Sequence, residues 1–169
     1  LHPSADVAYL AFSSEHQIAT YSVDPLTHAV SESAPRTPTG FGPQHLAIDP
    51  THRFLFALNT LASTISAFAI DPLTQALSAV GSEQPTGVSP SDIELTLDGR
   101  FLYVVNSRGH SVTSFAIDAQ NGALTPLGAT PVGMLPVQSA LDPTGRFLYV
   151  CVSGEDVVRG FKPTVLVGA

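Results

Sequence analysis

The tripeptide Arg-Phe-Leu occurs at residues 53–55, 100–102 and 146–148, so its starts are 47 and then 46 residues apart. Each copy joins a turn to an apolar run. Asp49-Pro50-Thr51-His52 leads into Phe54–Asn59, Leu97-Asp98-Gly99 into Phe101–Asn106, and Asp142-Pro143-Thr144-Gly145 into Phe147–Val152. A fixed period of this size marks one supersecondary unit repeated side by side, in which each copy buries its apolar surface against the next.

Each repeat reads as four short strands. In the second repeat these are Gln44–Ile48, Phe54–Asn59, Thr64–Ile70 and Ala76–Val80. The third repeat gives Ser91–Leu97, Phe101–Asn106, Ser111–Ile117 and Leu124–Gly128, with Asn121-Gly122 as the last turn. The fourth gives Val137–Leu141, Phe147–Val152 and Asp156–Phe161, with Thr164–Val167 as a short closing strand. The first repeat supplies Ala8–Ser13, Ile18–Val23 and Ala29–Ala34, and its own opening strand is expected before Leu1. Proline presets φ and Asp or Asn bonds its own backbone, so Asp-Pro and Asn-Gly punctuate the turns.

The run Phe101-Leu102-Tyr103-Val104-Val105 is apolar at alternate positions and between them. A strand buried on both faces reads this way, whereas a half-exposed strand alternates. Four strands per repeat of about 45 residues, with the second strand buried on both faces, predict an all-β chain of β-propeller blades. Each blade is a four-stranded antiparallel sheet. The expected blades are 1–36, 37–84, 85–131 and 132–169, about three and a half in all. Propellers have about 4–8 blades, and an open arc leaves faces and edges unpaired. The expectation is therefore a portion of a longer chain, two associated copies, or a small four-bladed ring.

Composition excludes several classes. Seven Lys+Arg against 14 Asp+Glu give a net charge of −7, with no local basic cluster, which argues against nucleic acid. No apolar run reaches the ~18–20 residues of a membrane-spanning helix. The single cysteine, Cys151, leaves no disulfide framework or zinc pattern; inside an apolar strand it reads as a buried, inert thiol. None of the six histidines is paired at metal-ligand spacing, so neither metal nor cofactor is expected. Leu1–Asp6 has neither the basic start nor the apolar core of a signal peptide.

Two stretches are less repetitive. Gly42-Pro43-Gln44-His45-Leu46-Ala47 followed by Asn59-Thr60-Leu61-Ala62-Ser63-Thr64 resembles the Gly-Pro-Arg-His-Leu-Ala and Asn-Glu-Leu-Ser-Ser-Thr segments of the lactonase family of seven-bladed propellers. Ser91-Asp92-Ile93 and Asn106-Ser107-Arg108-Gly109-His110-Ser111 are similar to that family's Ser-Glu-Ile segment and Asn-Arg-Gly-His-Asp-Ser turn. The resemblance implies a seven-bladed ring with a lactone-opening or lactone-closing site at the mouth of the central channel.

The catalytic pair that the resemblance implies is an arginine and a glutamate on one blade, which fall on Gln44 and Thr60. The arginine would hold an anion and stabilise a developing oxyanion. The glutamate would move a proton. Glutamine carries no charge, and threonine is no base near neutral pH without an activating partner. A further histidine of the family would fall before Leu1. Arg108 matches the family's arginine in type but is displaced one place by Ser107.

The ligand-binding candidates are therefore Gln44, His45, Thr60, Arg108 and His110. His45 reads either as a channel-facing ligand group or as a strand histidine bonded to nearby backbone. Arg108 and His110 read either as channel-mouth groups or as a solvated turn. The Asp-Pro carboxylates at 24, 49, 71 and 142, and the equivalent Asn59 and Asn106, read as turn braces. Ser13 and Val152 are expected at the asparagine position in the outer repeats.

Two functions stand open. The first is a binding or scaffold propeller that takes a small anionic or sugar-like ligand, or a protein. The second is a lactone hydrolase of the 6-phosphogluconolactonase type. The remaining blades are expected from the same chain or from a second copy.

Overall fold

The computed structural model describes residues 6–163. Within them, fifteen strands form four antiparallel sheets in chain order. The first sheet holds β1 (Val7–Phe12), β2 (Gln17–Val23), β3 (Val30–Glu32) and β4 (Thr37–Pro38). The second holds β5 (Pro43–Ile48), β6 (Phe54–Asn59), β7 (Thr64–Ile70) and β8 (Leu77–Pro85). The third holds β9 (Pro90–Leu95), β10 (Phe101–Asn106), β11 (Ser111–Ile117) and β12 (Leu124–Pro131). The fourth holds β13 (Pro136–Leu141), β14 (Leu148–Val152) and β15 (Val157–Phe161). The expected strand Thr164–Val167 lies outside the described residues.

The opening strands stand side by side, β5 against β9 and β9 against β13, while β1 touches β5. The sheets therefore radiate from a row of inner strands, as propeller blades do. In the first sheet no described strand lies inside β1, which occupies the second-strand position. The fourth strands run further than the sequence suggests, because β8 and β12 continue past a register shift. In the first sheet that strand is broken into β3 and β4, both paired with β2.

Each sheet has a trailing face toward the next sheet and a leading face toward the one before. On the trailing face of the second sheet, Phe56, Leu58, Ile65 and Ala67 pack on Leu102, Val104, Phe115 and Ile117 of the third. The trailing side chains Tyr103, Val105 and Val112 of the third pack on Leu148, Val150 and Val152 of the fourth. Leu55, Ala57, Phe68 and Ile70, on the leading face of the second sheet, meet Ile18 of the first. Each fully buried Leu or Phe contributes about 1.5–3 kcal/mol. These seams account for the continuous apolar runs: β6 is buried at all six positions.

The outer sheets break the expected pattern. In β14, Leu148, Val150 and Val152 are buried, but Tyr149 and Cys151 are exposed. Cys151 is therefore not a buried thiol: it lies on a trailing face that no described residue covers. Equivalent left-handed residues His16, Ser63, His110 and Asp156 align the repeats and place Phe12, not Ser13, at the position of Asn59, Asn106 and Val152.

The recurring motif has a local cause. Asp49 Oδ1 accepts the N–H groups of Arg53 and Phe54 at 2.8 and 2.7 Å, and Asp142 Oδ1 accepts that of Phe147 at 2.7 Å. Thr96 does the same for Phe101 through its hydroxyl at 3.0 Å. Each motif arginine then lies over the phenylalanine that follows it, at 5.1, 5.3 and 5.7 Å for Arg53, Arg100 and Arg146. The side chains of Asn59 and Asn106 are buried braces: Nδ2 of Asn106 donates to Thr113 Oγ1 at 2.8 Å, and Nδ2 of Asn59 to Ser66 Oγ at 2.9 Å.

Candidate functional site at the rim of the inner strands

Every complete inner strand carries an irregularity at one place. Pro43 pairs with Asn59 and His45 with Leu58, which leaves Gln44 as the extra residue. Ser91 and Val137 are the extra residues of β9 and β13. A bulge of this kind bends the strand and re-aims one side chain. Gln44 is thereby exposed at the rim, at the position where the family resemblance places an arginine.

Gly42 ties this rim together. Its N–H donates to His16 Nδ1 at 3.1 Å, and its carbonyl accepts both the N–H and the hydroxyl of Thr60, at 2.9 and 3.0 Å. The same backbone bond recurs from Ser107 to Ser89 and from Ser153 to Leu135. In the fourth sheet the Ser153 hydroxyl reinforces it, at 2.7 Å to the Leu135 carbonyl. The hydroxyl at the glutamate position is thus part of a repeated brace between the end of the second strand and the start of the first.

His45 is half-buried on the trailing side of β5, and its side chain makes no hydrogen bond within residues 6–163. Arg108 is exposed in the turn after β10 and pairs with no carboxylate among the described residues. His110, in the same turn, looks the other way: its Nδ1 accepts the Leu135 N–H of the fourth sheet at 3.0 Å. The fold therefore brings Gln44, His45 and Thr60 to one rim of the second sheet. It sets Arg108 on the neighbouring rim and gives His110 to the seam behind.

Two carboxylates lie deeper on β9. Asp92 Oδ2 accepts the Ser139 N–H and hydroxyl at 2.7 and 2.9 Å, clasping the inner strand of the next sheet. Glu94, two residues along and half-buried, has no such partner among the described residues. Burial, and then the nearby Asp92 charge, push its carboxyl up to about 7. Glu94 was not singled out in the sequence. Its signal is positional: by strand register it stands where Ala47 and Ala140 stand in the neighbouring repeats. The inner strands β5, β9 and β13 carry these two carboxylates and no Lys or Arg. No group of three or more metal-ligating side chains occurs among the described residues. Among the described residues no helix is long and apolar enough to cross a membrane.

The comparisons with known proteins agree with this architecture. Residues 3–163 match the family described as Lactonase, 7-bladed beta-propeller. A Bacteroides uniformis structure provisionally designated a 6-phosphogluconolactonase superposes with a TM-score of 0.89 at 22% identity, covering 100% of this chain and 50% of that one. The periplasmic gluconolactonase PpgL of Pseudomonas aeruginosa superposes with a TM-score of 0.84 at 25% identity, covering 99% of this chain and 50% of that one. A Lactobacillus plantarum protein superposes at 0.79 with 27% identity over 91% of this chain and 47% of that one. No curated protein matches. The chain thus spans about half the length of the solved propellers it matches, and it belongs to the lactonase family of seven-bladed β-propellers.

Proposed function

We propose that this chain serves as a binding propeller of the lactonase family whose hydrolytic pair has been lost, and that its ligand is a neutral, sugar-like molecule. The observation that carries this reading is the Thr60 hydroxyl, bonded to the Gly42 carbonyl at 3.0 Å just as Ser153 is bonded to that of Leu135. A group used as a backbone brace in two sheets is not free to move a proton. Gln44, at the bulge, offers hydrogen bonds without charge. Inner strands with two carboxylates and no cation disfavour a phosphorylated or carboxylated ligand. They suit hydroxyl groups, which Gln44, His45 and Asp92 can meet as donors or acceptors. Arg108 remains as a rim contact.

The test is calorimetric titration of glucono-δ-lactone, gluconate and 6-phosphogluconate, with lactone hydrolysis followed beside it. Binding of the neutral lactone without turnover is expected. Tighter binding of the phosphorylated compound, or robust turnover, overturns the reading. One observation favours the alternative, a lactone hydrolase: the Glu94 carboxyl, held at about 7, is suited to proton transfer near neutral pH. In that case Glu94→Gln would abolish turnover while leaving lactone binding in place.

A further inference from the structure

At the end of the strands opposite Gln44, the seam between the second and third sheets opens into a groove of about 420 Å³. Both sheets are complete, with four strands each. Three turns build the groove: His52 and Arg53 come from the turn between β5 and β6, Gln75 from that between β7 and β8, and Gln120 from that between β11 and β12. The buried side chains Phe54 and Ile70 give it an apolar lining.

Two of these residues hold a backbone conformation that other repeats give to glycine. His52 stands at φ 58°, where Gly99 and Gly145 of the third and fourth sheets stand at 68° and 66°. All three donate their N–H to the carbonyl three residues back, so the positions are equivalent. Gln75 stands at φ 60° and its counterpart Gly122 at 77°, each donating to the aspartate carbonyl four residues back. The first sheet has His28 there, at φ 56°. The left-handed region disfavours a side chain, and the turn itself is made as well by glycine. What the second sheet has in place of two hydrogens is an imidazole and an amide, both lining one groove. Strained residues of this kind gather at ligand sites.

Arg53 is the cation of the groove, and it is held in place. Its Nε donates to Thr51 Oγ1 at 3.0 Å and its Nη2 to the Ala119 carbonyl of the third sheet at 2.8 Å, with the guanidinium carbon 5.1 Å from the centre of the Phe54 ring. It pairs with no carboxylate among the described residues. The aspartates of the three turns are engaged by their own backbones: Asp49 by Arg53 and Phe54, Asp71 by Leu73 and Thr74, Asp118 by Gln120.

We propose that this groove binds a small organic carboxylate, at a site separate from the Gln44 rim. The N–H groups that Arg53 does not spend on Thr51 and Ala119 take the carboxylate. The amides of Gln75 and Gln120 meet polar groups on the ligand, and Phe54 and Ile70 cover its apolar body. One guanidinium, with no Lys or second Arg in the groove, suits a singly charged carboxylate better than a phosphate. The site stands whether or not the inner-strand rim binds a sugar-like molecule.

The test is titration of the isotope-labelled 169-residue chain with benzoate, followed by amide chemical shifts, with benzamide and inorganic phosphate beside it. Benzoate should shift the amides of His52, Arg53, Gln75 and Gln120 saturably and leave those of Gln44 and Thr60 in place. Benzamide and phosphate should bind about tenfold or more weakly, and Arg53→Gln should lose the preference for benzoate over benzamide. His52→Gly and Gln75→Gly separate binding from folding. Each should weaken benzoate binding about fivefold or more while the melting temperature holds or rises. Absence of saturable shifts at the groove overturns the proposal, as does phosphate binding as tightly as benzoate. So do glycine variants that bind benzoate like wild type, or that lose stability, since the side chains would then serve the turn.

Discussion

The imidazole of His110 accepts the backbone N–H of Leu135 through Nδ1 at 3.0 Å, across the seam between the third and fourth sheets. His16 makes the same bond to Gly42 at 3.1 Å, across the seam between the first and second. A turn in one blade thus fixes the entry of the next blade's inner strand. His110→Ala removes the acceptor and is expected to cost roughly 1 kcal/mol, which lowers the melting temperature by a few degrees. Amide exchange should quicken at Leu135 before it does in β6. Unchanged exchange at Leu135 would refute the role.

Asp92 bridges the inner strands β9 and β13 by two bonds to Ser139, which is itself buried. Asp92→Ala leaves the Ser139 N–H and hydroxyl without that acceptor, at a cost of about 1–3 kcal/mol. Asp92→Asn keeps one carbonyl acceptor and should lose less. Urea unfolding of the two variants measures the difference, and equal losses would argue against the clasp.

Glu94 and the turn aspartates act on opposite limbs of the pH profile. Burial first, and the nearby Asp92 charge second, raise the Glu94 carboxyl from 4.5 to about 7. The folded state then holds a proton that the unfolded state releases, so stability falls as pH rises from 4.5 to about 7. Glu94→Gln should flatten that limb. Asp24 and Asp71 are held below their ordinary 3.8 chiefly by backbone N–H donors. Asp142 is held below 3.8 first by the Thr144 side chain and then by the Phe147 N–H. The stability they contribute is present above 3.8 and is lost as pH falls below it. Melting temperature against pH for wild type and Glu94→Gln checks both limbs.

Gly122 sits at φ 77° in the outer turn of the third sheet, and a Cβ there would lie 2.4 Å from the ring of Phe54 in the second. Gly122→Ala combines a left-handed backbone with a collision against a buried aromatic. The expected loss is about 2–5 kcal/mol. Chemical denaturation of the variant reads it directly, and a loss below about 1 kcal/mol would mean that the turn repacks freely.

Much of this protein is decided by local chemistry, and local chemistry is written in the sequence. The period, the strands, the Asp-Pro turns and the Asn59 and Asn106 braces follow from residues a few positions apart, because turn hydrogen bonds and strand alternation are short-range. The family pattern at Gln44 and Thr60 is equally local. Contacts between sheets are not. Tyr149 and Tyr103 each stand between a leucine and a valine, and Cys151 and Val105 each follow that valine, yet the first residue of each pair is exposed and the second buried, because burial depends on whether another sheet lies alongside. Thr60 has the sequence environment of a site residue, and only its meeting with Gly42, eighteen residues earlier, makes it a brace. His110 lies in a turn that the sequence leaves open to solvent, and the tertiary structure turns it toward Leu135, twenty-five residues on. Glu94 is one more charge until the fold sets it half-buried beside Asp92, where desolvation governs its proton. The repeating unit is legible in the order of residues, since that unit is held by bonds within it. Which faces are covered and which polar groups are already engaged emerges when the sheets assemble, since both depend on what a distant part of the chain places opposite them.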